Sequence, residues 1–116
     1  MRVAVHSIGG PGYHIEPEEF SGFVRDNLAE VDLTGKRVCL IIPDDTRSCP
    51  LPQILAEVYR AVIGPAASAE CVIALGTHEY MTPVQIATWV TGDPDGDIAR
   101  IYPGMPIYNH EWKEDR

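Results

Sequence analysis

The chain has 116 residues, which is enough for a single domain with its own hydrophobic core. Hydrophobic residues make up 45% and charged residues 22%, as in ordinary globular proteins, and no run approaches the roughly 20 apolar residues of a membrane span. The formal net charge of -8 disfavours nucleic acid and anionic membranes as partners, because both bind clustered Lys and Arg. We therefore expect one domain over residues 1–116 with neither kind of partner.

The N-terminal segment indicates a cytoplasmic protein, and the cysteines bear on disulfides and zinc binding. Residues 1–10 contain a short apolar run, but no long hydrophobic region and no cleavage site of the signal-peptide kind. The three cysteines, Cys39, Cys49 and Cys71, are odd in number and lack C-x-x-C spacing. The sequence therefore predicts neither a disulfide nor a zinc ribbon.

A short strand and a helix come first in chain order. Residues 2–8 are rich in apolar side chains, and the Gly-Gly-Pro-Gly run that follows lacks the spacing and the lysine of a phosphate-binding loop. A helix should begin near Pro17, because proline suits a first helical turn, and should end before Gly35. Its apolar face recurs at helical spacing through Phe20, Phe23, Val24 and Leu28.

A second strand-helix pair follows. The run from Arg37 to Ile42 is almost wholly apolar and branched, which is typical of a strand that is covered on both faces in a parallel sheet. The next helix has Pro52 in its first turn and a stop signal at residues 64–65, Gly-Pro. Its apolar stripe consists of Leu51, Ile54, Leu55, Val58 and Val62.

The third pair and the tail complete the predicted elements. Residues 70–75 repeat the buried-strand pattern, and Thr82 with Gln85 forms a capping-box pattern that predicts a helix over residues 83–90. Residues 92–116 are rich in Pro and Gly, so we expect loops with short strands around 99–102 and 107–108. The alternation of strands and helices predicts a three-layer, Rossmann-like α/β fold with a mainly parallel sheet and flanking helices.

Polar residues stand at the carboxyl end of the strand that begins at Arg37, where open α/β sheets bind their ligands. Arg47 can hold a carboxylate or phosphate in two hydrogen bonds, and Thr46 adds a hydroxyl beside the N-terminus of the next helix. With Asp44 and Asp45, these residues predict an anion site. An equally open interpretation is that one of the two acids caps a turn or helix and that Arg47 pairs with an acid.

Gly76, Thr77, His78 and Glu79 follow the next strand in the same way. A histidine there suits general acid-base catalysis or metal binding near neutral pH, and Glu79 could tune it, although a loop histidine without a role is the other interpretation. Two polar clusters at neighbouring strand ends favour one shared pocket. The Asn-His-Glu run at residues 109–111 carries less weight, and His6 and His14 are left out of the site.

The three strand ends together resemble the N-terminal part of the lactate racemase family, whose members use a nickel-pincer nucleotide. The resemblance spans roughly residues 36–112, through Asp44-Asp45-Thr46-Arg47 with Pro50, Gly76-Thr77-His78-Glu79 and Asn109-His110. It implies that Asp44 and Arg47 line the pocket for substrate and cofactor, beside Asp45, Thr46, Gly76 and Thr77. It also implies that His78 takes a proton from the hydroxyl of a 2-hydroxy acid while hydride moves to the cofactor.

The chain departs from this family in two respects. Family members commonly carry a basic residue where this chain has Glu79, which changes the charge beside the substrate. The family's second catalytic histidine, its cofactor-bonding lysine and its nickel-ligating histidine lie farther along than residue 116. The resemblance therefore implies a fragment that is inactive alone, retains no cofactor by itself, and works with a C-terminal domain or a second chain.

Two other functions stay open on the residues alone. The domain could bind a small carboxylate or phosphate, or a partner chain, without catalysis. Metal-dependent hydrolysis is the other, and it would place Asp44, Asp45, His78 and His110 within reach of one metal ion.

Overall fold

The computed structural model of the chain describes residues 7–113, which contain four helices and three strands. The predicted first strand over residues 2–8 lies outside this range except for its last two positions, which are in loop. The elements are α1 (Pro17–Leu28), β1 (Arg37–Pro43), α2 (Leu51–Ile63), β2 (Ser68–Ala74), α3 (Pro83–Thr91), α4 (Ile98–Ile101) and β3 (Ile107–Asn109). None of the helices in the described range combines the length and apolar character needed to cross a membrane.

The three strands form one parallel sheet in the order β1-β2-β3. The pairing of β1 with β2 runs from Arg37 opposite Ser68 to Pro43 opposite Ala74, so the carboxyl ends of the two strands lie side by side. The predicted α/β fold with a parallel sheet and flanking helices is confirmed, and a Rossmann-like arrangement is consistent with it. This register determines that the residues after Pro43 and after Ala74 leave the sheet as neighbours.

The core lies between one face of the sheet and the helices. On β2, Ala69, Cys71 and Ile73 are buried and alternate with residues that are exposed or partly exposed, which is the period of two expected for a strand with one covered face. The helices supply the other half of the core through Leu51, Leu55, Val62, Ile86 and Val90. The tail also contributes to it, because Tyr102 and Met105 are almost fully buried.

The opposite face of the sheet is open within the described residues. Ile41 is 74% exposed, Cys39 is exposed, and Val72 on the neighbouring strand is only partly buried. The expectation that β1 is covered on both faces is therefore wrong for the described part of the chain. Its apolar sequence predicted the strand correctly, but burial depends on which other segments cover it.

The tail differs from prediction at one of its two expected strands. Residues 99–102 were expected to be extended, whereas Ile98–Ile101 form a single helical turn. The reason lies just before the turn, where the Asp97 side chain accepts a hydrogen bond from the backbone N–H of Arg100 and so caps the helix. The other expected strand is confirmed as β3, which pairs with β2 from Cys71 opposite Ile107.

The capping box at the start of α3 provides a first test of the local structure. Thr82 Oγ1 accepts a hydrogen bond from the backbone N–H of Gln85 at 3.2 Å, and Gln85 Oε1 accepts one from the backbone N–H of Thr82 at 2.7 Å. Thr82→Ala should lower the free energy of unfolding by about 0.5–2 kcal/mol in urea denaturation. Thr88→Ala, in the exposed middle of the same helix, is the control and should be neutral or slightly stabilising. Equal losses in both variants would contradict the capping role.

Candidate functional site

The site is built from two turns that leave the sheet side by side. After β1, the backbone N–H of Arg47 donates to the carbonyl oxygen of Asp44 at 3.2 Å, which closes a turn over residues 44–47. After β2, the backbone N–H of His78 donates to the carbonyl oxygen of Leu75 at 3.0 Å. Gly76 adopts a left-handed conformation in this second turn, with φ of 63°, which a residue without a side chain tolerates at no steric cost. Both predicted polar clusters thus stand at the same edge of the sheet.

Asp44 and His78 are in direct contact across these turns. Asp44 Oδ2 lies 2.6 Å from His78 Nδ1, although 34 positions separate the two residues in the sequence. The Asp44 side chain is only 5% exposed, whereas that of His78 is 56% exposed. The arrangement has a buried carboxylate behind an imidazole that is open to solvent on its other side.

Thr46 completes the environment of the carboxylate. Asp44 Oδ1 accepts hydrogen bonds from the Thr46 hydroxyl at 2.5 Å and from the Thr46 backbone N–H at 3.3 Å. The Thr46 hydroxyl, and after it His78 and the Thr46 backbone, lower the pKa of Asp44 below its ordinary value against the opposing effect of burial. Asp44 is therefore ionised at neutral pH and can only accept hydrogen bonds.

The charge state of Asp44 determines which nitrogen of a neutral His78 carries the proton. Because the carboxylate accepts, Nδ1 of His78 must donate, and Nε2 is then left with a lone pair. An imidazole oriented in this way by a carboxylate is suited to accept a proton at Nε2, and the same carboxylate stabilises the imidazolium that forms. The pair is a candidate general base with its orienting group.

The remaining residues of the first cluster are exposed. Asp44 caps its own turn, as one of the two interpretations predicts, because its Oδ1 accepts from the Thr46 N–H. It does not cap the following helix, since α2 begins after Pro50 without any side-chain cap. The Arg47 guanidinium makes no ion pair or side-chain hydrogen bond within residues 7–113, and Asp45 and Thr46 are also exposed. The interpretation in which Arg47 pairs with an acid is therefore not found in the described part of the chain. Arg47 is available to an anion beside Asp44.

Glu79 in the second cluster has a partner that the sequence did not predict. Its carboxylate forms an ion pair with Lys113 Nζ at 2.9 Å. The Lys113 ammonium also lies 5.3 Å from the centre of the Tyr80 ring and 5.6 Å from that of Trp112. Gly76 and Thr77 are exposed in the turn. The negative charge next to His78 is therefore offset by a cation that lies far along the sequence.

The third polar group, after β3, supports the second turn but does not join Asp44. Asn109 Oδ1 accepts from the backbone N–H of Met81 at 3.1 Å, and Asn109 Nδ2 donates to the Met81 carbonyl at 2.9 Å. His110 lines a cavity of about 280 Å³ on the open face of the sheet, with Cys39, Ile41, Val72 and Ala74. The sequence indicated residues 109–111 as a third polar group after a strand, but it did not predict that Asn109 supports the backbone of Met81.

A shared metal site is not found in the described residues. Within residues 7–113, no three His, Cys, Asp or Glu side chains are placed to hold one ion, although Asp44 and His78 are adjacent. The grouping of Asp44, Asp45, His78 and His110 that metal-dependent hydrolysis requires is thus missing from this range. Cys39, Cys49 and Cys71 are free thiols.

Comparison with known proteins identifies the fold but no family. No protein-family model matches the chain, and no curated protein matches it. Among solved structures, the crystal structure of a Thermotoga maritima protein, determined as a structural genomics target, is similar at 19% sequence identity with a TM-score of 0.67. The similarity covers 90% of this chain and 23% of the Thermotoga chain, so this chain spans about a quarter of that protein's length. At this identity, the likeness establishes a shared α/β fold.

Proposed function

We propose that this chain is the N-terminal pocket domain of a lactate-racemase-like enzyme that acts on small 2-hydroxy acids and is inactive alone. The observation that carries the proposal is the 2.6 Å contact between Asp44 and His78 at the carboxyl ends of two neighbouring parallel strands. Such an edge is where α/β folds bind ligands, and the pair has the composition of a general base with its orienting carboxylate. A cytoplasmic location, as the sequence predicts, belongs to the same proposal.

The roles of the residues follow from their chemistry. Arg47, exposed on the Asp44 turn, binds the carboxylate of the hydroxy acid through two N–H donors. His78 Nε2 accepts the proton of the 2-hydroxyl group. Oxidation of that carbon to a carbonyl would also release a hydride from C2, which the nickel-pincer nucleotide implied by the resemblance would accept when bound. Asp44 keeps Nδ1 protonated and stabilises the positive imidazolium. The same groups return the proton when the hydroxyl is restored.

The nickel-pincer nucleotide that the resemblance implies fits the described residues only in part. Exposed polar groups of Thr46, Arg47 and Thr77, beside Gly76, could contact a phosphate of such a group. The same range offers no set of three metal-ligating side chains. No step of the proposed proton transfer is therefore assigned to the cofactor, and its attachment belongs to other parts of a complete enzyme or to a second chain.

The decisive measurement is binding of L-lactate followed by NMR of the His78 imidazole. Lactate should shift the His78 ring signals with a dissociation constant near millimolar, which corresponds to about -4 kcal/mol. Arg47→Ala should abolish the shift. Arg37→Ala is the matched control, because Arg37 is an exposed arginine at the opposite end of β1, and it should leave the titration unchanged. No shift in the unmodified chain, or equal shifts after Arg47→Ala, would overturn the proposal.

Propionate separates the leading function from a simple anion-binding module. It has the carboxylate of lactate but lacks the 2-hydroxyl, so it should bind more weakly and leave the His78 signals almost unmoved. If propionate and lactate shift His78 equally, the domain recognises small anions without engaging the hydroxyl group. That outcome would favour the non-catalytic alternative, for which the unpaired and exposed Arg47 within residues 7–113 is the supporting observation.

A further inference from the structure

The sequence contains two tryptophans, and each donates its indole N–H to a backbone carbonyl at the Asp44–His78 pair. Trp89 Nε1 lies 2.8 Å from the carbonyl oxygen of Pro43, the residue immediately before Asp44. Trp112 Nε1 lies 2.9 Å from the carbonyl oxygen of His78 itself. The two donors come from different places, since Trp89 belongs to α3 and Trp112 to the segment after β3.

These two bonds hold the backbone segments that carry Asp44 and His78. Asp44 and His78 lie in separate turns, so the distance between Oδ2 and Nδ1 depends on where the two backbones are held. Both indoles are partly buried against the hydrophobic core, which gives them fixed positions from which to donate. A misplacement of about 1 Å in such a site can cost on the order of 100-fold in rate.

Neighbouring contacts hold the second turn at further points. Asn109 hydrogen-bonds both the N–H and the carbonyl of Met81, three residues after His78. The backbone N–H of Lys113 donates to the Tyr80 hydroxyl at 3.1 Å. Trp112 differs from these contacts because its partner is the residue that carries the imidazole.

We infer that Trp89 and Trp112 are positioning residues, whose indole N–H groups anchor the carbonyls of Pro43 and His78 so that His78 Nδ1 stays on Asp44. Nε2 then stays free to exchange a proton with a ligand hydroxyl. The inference rests on the proposed function for the identity of that ligand. The effect of the two indoles on the Asp44–His78 pair is measured without any ligand. Failure of the positioning inference can therefore be distinguished from failure of the proposed function.

The test is the ¹⁵N spectrum of the His78 ring in the full chain at a pH where the imidazole is neutral. The unmodified protein should show a protonated Nδ1 and an unprotonated Nε2. Trp112→Phe keeps an aromatic ring but removes the donor, and it should shift both nitrogen signals toward the mixed-tautomer values of free imidazole. Trp89→Phe should shift them in the same direction.

Tyr102→Phe is the matched control. It also removes a hydrogen bond from an aromatic side chain to a backbone carbonyl, but this buried bond goes to Val90 and not to Pro43 or His78. It should destabilise the fold without moving the His78 signals. Unchanged His78 signals in both tryptophan variants, or an equal shift in Tyr102→Phe, would overturn the inference.

A second substitution covers the case in which a phenylalanine variant does not fold. Benzothienylalanine replaces the indole N–H with sulfur at nearly constant shape, so it removes the donor while keeping the packing. With this analogue at position 112, a native-like ¹⁵N signature at His78 would contradict the positioning role. A shifted signature in a folded protein would support it, even if lactate fails to bind the unmodified chain.

Discussion

Asp44→Asn should lower the free energy of unfolding at neutral pH by about 1.5–3 kcal/mol, the usual contribution of hydrogen bonds to a charged group. The carboxylate is almost fully buried and accepts from Thr46 and His78, so the amide loses the charge that strengthens these bonds. The amide NH₂ must also replace one of the two acceptor oxygens, so it faces either the protonated Nδ1 of His78 or the donors of Thr46, and one side loses its acceptor. Urea denaturation measures the loss.

Asp45→Asn is the control for this substitution. Asp45 is the adjacent acid in the same turn, but it is exposed. Its replacement should change stability by less than about 0.5 kcal/mol. Comparable losses in the two variants would show that the Asp44 contacts do not stabilise the fold.

The effect of Asp44→Asn should also depend on pH in a defined direction. The pKa of Asp44 is lowered in the folded state, so its carboxylate stabilises the fold fully above the unfolded pKa of about 3.9. This contribution is lost as the pH falls through the lower folded pKa. The gap in unfolding free energy between the unmodified protein and Asp44→Asn should therefore shrink below about pH 4. A gap that persists unchanged in acid would contradict this assignment.

Ile73→Ala should cost about 2–5 kcal/mol of unfolding free energy, a large part of the roughly 5–15 kcal/mol available to a domain. Ile73 has no exposed surface and lies in the central strand β2, where the helices and the sheet meet. Removing its outer carbons leaves a cavity that the surrounding side chains fill only in part. Chemical denaturation followed by tryptophan fluorescence measures the change.

Ile41→Ala provides the contrast with Ile73→Ala. Ile41 is the same residue type on the adjacent strand, but it faces the open side of the sheet and is 74% exposed. Its replacement should cost less than about 1 kcal/mol, which is the range of strand propensity alone. If both isoleucines cost the same, the face assigned to the core would be wrong.

Much of the fold could be predicted from local patterns. The stripes of α1 and α2 and the capping box at Thr82 depend on residues within a few positions of each other, and the structure confirms those helices. The short tail could not be predicted in the same way. Ile98 to Tyr102 has the composition of a strand, and the helical turn there depends on a cap and on packing of Tyr102 in a core built by distant residues.

The candidate site could also be predicted from the sequence only in part. A parallel sheet requires that the turns after β1 and β2 lie at one edge, so the neighbourhood of Asp44 and His78 followed from the sequence. Their direct contact depends on the register of Pro43 opposite Ala74, which no local pattern reveals. Lys113 next to Glu79, and the bonds of Trp89, Asn109 and Trp112 to distant backbone atoms, were missed for the same reason.

The sheet face that is open within residues 7–113 has a consequence for the behaviour of this part of the chain in solution. Ile41 and Cys39 lie there beside Val72, on a surface where apolar contact between molecules is favourable. The formal net charge of -8 opposes such contact because like-charged molecules repel one another. Salt screens this repulsion over about 8–10 Å at physiological strength and leaves the hydrophobic attraction in place. Colloidal stability of the isolated domain therefore depends on low ionic strength, and its exposed Cys39 thiol calls for a reducing buffer.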